Sequence, residues 1–136
     1  MNIKITGSGS YVPEIRVKNT DFGNHVFLNE DGTPFAYANE VVIDKFKSIT
    51  GIQERRYAEP HLTSSDLAFF AAEKAIKSAN IDPETIDYII LAHNFGDVKP
   101  NAIQSDTVPS LATRVKHKLQ IKNPKCVAYD ILFGCP

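Results

Sequence analysis

Tryptophan is absent, methionine occurs once and cysteine only twice. Two cysteines, Cys126 and Cys135, can build neither a disulfide framework nor a four-ligand zinc site. His25, His61 and His117 have no metal-ligand spacing and lie in polar contexts, so no metal is expected. No apolar run approaches the roughly 20 residues of a membrane span. The start, Met1-Asn2-Ile3-Lys4-Ile5-Thr6-Gly7, carries no long apolar segment and no small-residue cleavage site. It therefore reads as free of a signal peptide, and a cytoplasmic protein is expected. Neither sign of charge is in excess: 15 basic and 16 acidic residues leave a net charge of −1. That argues against a protein built around nucleic acid or an anionic membrane. Nor is there a phosphate-cradling loop, because Gly7-Ser8-Gly9 lacks the third glycine and the following helix of a dinucleotide fingerprint. What remains is an ordinary soluble composition, 43% hydrophobic and 23% charged over 136 residues. One domain with a real core is expected, and intrinsic disorder is excluded.

The pattern along the chain alternates between the two periods. Ile3 and Ile5 alternate with polar neighbours, which predicts a strand over Ile3 to Val12, with Gly7 and Gly9 marking a bulge or a close backbone approach. Glu14 to Asn39 is polar, and Asn29-Glu30-Asp31-Gly32-Thr33-Pro34 predicts an exposed loop or hairpin. Val41, Val42, Lys45, Phe46 and Ile49 recur at helical spacing, with Gly51 at the C-cap position. Gln53 to Ala58 reads as an edge strand or an extended connection. The clearest helix runs from Ser64 to Asn80, capped by Thr63 with Asp66 three residues on. Its face of Leu67, Ala68, Ala71, Ala72, Ala75, Ile76 and Ala79 is mostly small and suits close approach to a sheet. Ile86 to Ala92 predicts a buried strand, Pro109 to Leu119 a helix with Pro109 in its first position, and Lys125 to Phe133 a last strand. Strands separated by helices indicate an α/β fold with a largely parallel sheet.

Chemistry in such folds belongs at the C-terminal edge of the strands. Two candidate strands deliver reactive residues there, one ending in His93-Asn94 and the other in Gly134-Cys135-Pro136. Glycine before Cys135 permits a sharp turn, and proline after it fits the first position of a helix. Cys135 would then face unpaired N–H groups and the positive end of the helix dipole, which favour a nucleophilic thiolate. The same residue also reads as a small buried hydrophobe. Cys126, inside its strand, has only the second reading. His93 and Asn94 invite a Cys/His/Asn arrangement, but neighbours on a strand point to opposite faces, which sets them against converging on one thiol. Arg114, Lys116, His117, Lys118, Lys122 and Lys125 form a basic cluster, read either as a solvated helix face or as a docking patch for an acidic protein.

Four segments together are distinctive. They are Gly7-Ser8-Gly9-Ser10-Tyr11-Val12-Pro13-Glu14, Thr50-Gly51-Ile52-Gln53-Glu54-Arg55-Arg56, Thr63-Ser64-Ser65-Asp66-Leu67-Ala68, and Ala128-Tyr129-Asp130 five residues before Cys135. In order and approximate spacing the chain resembles the N-terminal part of β-ketoacyl-acyl carrier protein synthase III, of the thiolase-like superfamily. The resemblance implies an α/β fold, the N-terminal portion of a thiolase-like fold with a mostly parallel mixed sheet and packed helices. It implies one truncated domain over residues 1–136, a fragment of a longer condensing enzyme and inactive by itself. In the family the cysteine matching Cys135 takes an acyl group from a thioester, then condenses with malonyl-acyl carrier protein as carbon dioxide leaves. The family's catalytic histidine and asparagine come from the second half of a longer chain, and His93 and Asn94 do not match them. Lys45 and Ile49 stand where coenzyme A-using members often carry a tryptophan and an arginine.

The resemblance thus implies an acyltransferase of fatty acid or related polyketide biosynthesis. It implies no covalently bound cofactor, an acyl-coenzyme A or acyl carrier protein thioester as substrate, and acyl carrier protein as partner. It also implies a homodimer formed through the strand at Lys125 to Phe133. The rival readings are another thiolase-fold acyltransferase, a hydroxymethylglutaryl-type synthase, and a non-catalytic assembly module.

Overall fold

The computed structural model describes residues 2–133. Its order is β1 (Ile15–Lys18), α1 (Asn39–Thr50), β2 (Glu54–Tyr57), α2 (Ser64–Ala79), β3 (Tyr88–His93), α3 (Leu111–Lys118) and β4 (Val127–Leu132), with short 3-10 turns at Asn19–Phe22 and Pro83–Thr85. The architecture is α/β, as expected. The strands form two pairs rather than one largely parallel sheet: β1 with β2 antiparallel, β3 with β4 parallel. The contacts group the residues into two compact units, one formed by the chain up to Val12 together with the chain from Pro60 onward, the other by Pro13–Glu59. No helix among the described residues is long and apolar enough to cross a membrane.

In the Pro13–Glu59 unit, β1 lies inside the polar stretch from Glu14 to Asn39, where no strand was expected. Ile15-Arg16-Val17-Lys18 alternates with the strand period, and Ile15 pairs with Tyr57 and Lys18 with Glu54. The turn at Asn29–Pro34 is exposed, as predicted. The Asp31 carboxylate accepts from the Thr33 N–H and hydroxyl, and Leu28 bridges Pro34. Helix α1 ends where glycine allows it. Gly51 adopts φ 68°, the left-handed C-cap conformation, and its N–H reaches the Lys47 carbonyl at 2.8 Å.

In the other unit, the predicted strand at Ile3 to Val12 is not in a ladder. Its glycines explain the difference. A Cβ on Gly7 would strike Ala75 and Ala79, and one on Gly9 would strike Ala71, Lys74 and Ala75. The segment therefore lies against the small-residue face of α2 at backbone distance. The alanine face does receive a close neighbour, but that neighbour is an extended segment without strand partners among the described residues. Helix α2 begins with the predicted capping box: the Thr63 N–H donates to the Asp66 carboxylate at 2.8 Å, and Asn80 closes the far end in the left-handed conformation.

Helix α3 starts later than expected. Pro109 precedes the cap, and Ser110 is the N-cap, its Oγ accepting from the Thr113 N–H at 3.1 Å. Leu111, Ala112 and Val115 are buried along one side of the helix, and Ile121 and Cys126 are buried beyond it. Each of the larger side chains contributes roughly 1.5–3 kcal/mol by leaving water. Strand β3, expected to be buried, is half-buried on one face and exposed on the other. The register pairs Tyr88 with Val127, Ile90 with Tyr129 and Ala92 with Ile131, so these residues share a face. On that face Tyr88 and Ile90 are each 63% exposed, and the two tyrosine rings stack at 6.2 Å.

Candidate active site

The C-terminal edge of β3 and β4 is where the sequence places its candidates. His93 ends β3 in register with Leu132, which ends β4. Cys135, three residues further along, lies outside the described residues, as do Gly134 and Pro136. Cys126 is a buried free cysteine at the start of β4, in keeping with its reading as a small hydrophobe.

Two carboxylates organise this edge. Asp130, in the predicted Ala128-Tyr129-Asp130 segment, points from β4 to the start of α3. It accepts from the Leu111 N–H at 2.7 Å and the Ala112 N–H at 2.8 Å, which have no intrahelical partner. The same carboxylate accepts from His93 Nε2 at 3.0 Å. Burial opposes its charge, but donation from Ala112, His93 and Leu111 outweighs burial and holds the carboxyl below its ordinary value.

Asp97 plays the matching part for α2. It is buried, and it accepts from the Ser65 N–H at 2.8 Å and the Ser65 hydroxyl at 2.7 Å. Arg114 of α3 forks onto two carboxylates, Nη1 to Asp97 at 2.8 Å and Nη2 to Asp106 at 2.7 Å, while its Nε reaches the Pro109 carbonyl. These bonds raise the Arg114 guanidinium above its ordinary value, Asp106 contributing most, and Arg114 in turn lowers Asp106. Asp97 and Asp106 also exchange backbone bonds at 3.0 and 2.8 Å, which closes the loop between them. Gly96 enters that loop at φ 76°, packed where a Cβ would meet Asp106 and Thr107.

His93 is the first residue of the predicted pair, and its geometry excludes a base role in this arrangement. Nδ1 accepts from the Gly96 N–H at 2.9 Å, so Nε2 carries the proton donated to Asp130. The side chain is 7% exposed. Asn94, its neighbour, is exposed. The structure does not bring the two together on one group.

The basic cluster divides. Arg114, Lys116 and Lys118 are engaged by acceptors within the chain, although Lys118 stays exposed. Lys116 Nζ donates to the Asn123 and Cys126 carbonyls at 2.9 and 2.6 Å, and Lys118 Nζ meets Asp66 at 2.6 Å. Asp66 is lowered despite burial, through Lys118 and the Thr63 donors. Asp97 is not among the candidates read from the sequence, and Arg114 is there only as one member of the basic cluster, without its two carboxylate partners. The available signal was an aspartate just beyond a strand and an arginine on an otherwise apolar helix start.

No protein-family model matches the chain. Solved structures do match, over almost its entire length. A β-ketoacyl-[acyl carrier protein] synthase III from Thermus thermophilus is 31% identical, with 97% of this chain and 34% of that one covered and a TM-score of 0.65. The 3-oxoacyl-[acyl-carrier-protein] synthase III of Aquifex aeolicus VF5 is 29% identical, with 96% and 34% covered and a TM-score of 0.66. The priming β-ketosynthase of the R1128 polyketide pathway is 22% identical, with 96% and 32% covered and a TM-score of 0.69, a likeness of fold. The chain spans about a third of the length of the structures it matches. With a parallel β3–β4 pair, helices packed on it and these neighbours, the chain has the fold of the N-terminal part of the thiolase-like 3-oxoacyl-acyl carrier protein synthase III structures.

Proposed function

We propose that this chain is the N-terminal part of a condensing enzyme of the 3-oxoacyl-acyl carrier protein synthase III type, with Cys135 as its acyl acceptor. The observation that carries the reading is the similarity to two such synthases at 31% and 29% identity across nearly all of the chain. The edge geometry supports it: β4 runs toward Cys135 alongside His93, and Asp130 ties that strand to the buried start of α3.

In this mechanism the Cys135 thiolate attacks the carbonyl carbon of an acyl thioester. The carbon–sulfur bond to the carrier breaks, its thiol leaves with a proton, and an acyl-cysteine remains. Malonyl-acyl carrier protein then loses carbon dioxide, and the resulting enolate attacks the acyl carbonyl. The new carbon–carbon bond forms as Cys135 departs as a thiolate, which can take a proton from water. Backbone N–H groups near the cysteine would hold each oxyanion. His93 is bonded at both nitrogens, so the histidine and asparagine that assist decarboxylation come from elsewhere in the protein.

The substrate class is an acyl thioester and the partner is acyl carrier protein, with no resident cofactor. Lys45 and Ile49 line a groove on α1 with Phe35, Tyr37, Val41 and Phe46. That lining lacks the tryptophan and arginine of coenzyme A-using members, which favours a carrier protein as donor. A homodimer paired through β4 belongs to the same reading. The enzyme acts in the cytoplasm.

The test is mass spectrometry of the full-length protein after incubation with acyl-coenzyme A and, separately, acyl carrier protein thioesters. An acyl adduct on Cys135 that is absent from Cys135→Ala is expected. No adduct with either donor would remove the enzyme reading and leave the assembly module.

A further inference from the structure

We propose that His93 is a positioning residue that holds the end of β4 for acylation of Cys135; the inference rests on the reading of Cys135 as the nucleophile. His93 stands beside Leu132 in the parallel register, at the last rung before the chain leaves the sheet toward Cys135. Beside the β3–β4 ladder and the Phe95–Phe133 ring contact, its ring adds a polar link across this edge, between the turn after β3 and the carboxylate on β4. Nδ1 receives the Gly96 N–H and fixes the turn where the loop leaves β3. Nε2–H meets Asp130 at 3.0 Å, on the strand that leads to the cysteine.

The geometry requires one protonation state. A backbone N–H can only donate, so Nδ1 must present its lone pair and the proton must sit on Nε2. The acceptor oxygen, Oδ2 of Asp130, also takes the Leu111 N–H, while Oδ1 takes the Ala112 N–H. The helix bonds draw Asp130 toward α3, and His93 supplies the lateral bond toward β3. Removing the ring leaves the carboxylate on its helix and the ladder in place, but withdraws the lateral bond that sets the end of β4 against the Gly96 turn and so loosens that end. A displacement on the order of an ångström at a reacting group lowers rates by about a hundredfold while leaving thioester affinity alone. The effect therefore falls on the acylation rate and not on KM.

Single-turnover acylation of the full-length protein by an acyl thioester tests this with three variants. His93→Ala is expected to slow acylation by about tenfold to a hundredfold with KM unchanged. His93→Gln can still reach Asp130 with an amide N–H, and it restores the rate to within about threefold of wild type. His93→Asn can still accept from Gly96 but falls short of Asp130, and it stays slow. If His93→Ala does not fold, the contrast between glutamine and asparagine decides. Equal rates in those two variants, or a wild-type rate in His93→Ala, would overturn the proposal while leaving Cys135 as nucleophile. Absence of acylation in the wild type is the separate failure of the underlying reading. Nitrogen-15 NMR of the wild-type ring supplies a check independent of Cys135: a proton on Nδ1 instead of Nε2 would also overturn it.

Discussion

Asp130→Asn isolates the carboxylate on which β3, β4 and α3 converge. The substitution keeps the side-chain shape, but one of the two oxygens becomes an amide that donates. It then opposes either the Leu111 or the Ala112 N–H, which sit 2.7 and 2.8 Å away. Loss of a helix cap costs about 1 kcal/mol, and a hydrogen bond to a charged group contributes about 1.5–3 kcal/mol. The side chain is only 12% exposed, so water replaces little of this. A destabilisation of about 2–4 kcal/mol at pH 7 is expected, read as a lower urea midpoint with unchanged slope. The pH dependence has a definite sign. Asp130 is held below its ordinary value in the folded protein, so the charged form stabilises the fold above the unfolded carboxyl value of about 3.9. That contribution is lost as pH falls through the lower folded value. The gap between wild type and Asp130→Asn should therefore stay constant from pH 7 to about pH 5 and close in strong acid. A gap under about 0.5 kcal/mol at pH 7, or one that persists at full strength in strong acid, would refute the reasoning.

Arg114→Lys should destabilise by about 2–4 kcal/mol, because one ammonium cannot serve Asp97 and Asp106 together and Asp97 is left buried. Faster hydrogen exchange at the Asp106 N–H, which donates to the Asp97 carbonyl at 2.8 Å, would report the loosened loop, and an unchanged exchange rate would contradict it. Gly9→Ala should cost about 2 kcal/mol or more, since its Cβ would overlap the backbone of α2. Gly32→Ala, with φ 81° and open space around it, should cost only about 1 kcal/mol, so similar melting temperatures for the two would count against close packing at Gly9. Lys118→Met should cost under about 1 kcal/mol, because the pair with Asp66 is partly exposed, and raising salt should reduce the difference from wild type.

Helix boundaries were legible because their signals are local. Thr63 and Asp66 are three residues apart and form their reciprocal bonds within one turn. Gly51 stands directly after the last residue of α1. Strand pairing was less legible. Ile15 to Lys18 alternates as a strand must, yet its partner lies some forty residues away and both its faces are largely exposed, so polarity masked the period. Ile3 and Ile5 alternate too, but alternation specifies an extended backbone and not a ladder. What decided the outcome there was a steric fit between two glycines and three alanines on α2.

The same distinction explains what the sequence withheld about the site. The position of Cys135 relative to glycine and proline is local, and those three residues leave two readings of it open, nucleophile or small buried hydrophobe. The groups around the strand ends are not local. Asp130 lies 18 and 19 residues from the N–H groups it caps, Asp97 lies 32 residues from Ser65, and His93 lies 37 residues from Asp130. Any capping rule written in steps of three residues is blind to them. Yet their placement is not arbitrary. In a parallel pair flanked by helices, strand ends and helix starts meet at one edge, and the helix starts bring unpaired N–H groups with them. A carboxylate at a strand end is the short side chain that can accept two such groups at once. Aspartates at or just beyond strand ends, as at Asp97 and Asp130, are thus what the topology requires before any chemistry is asked of that edge. In this protein the polar residues most visible at the edge support the helices, and under the proposed function catalysis falls to the cysteine that follows β4.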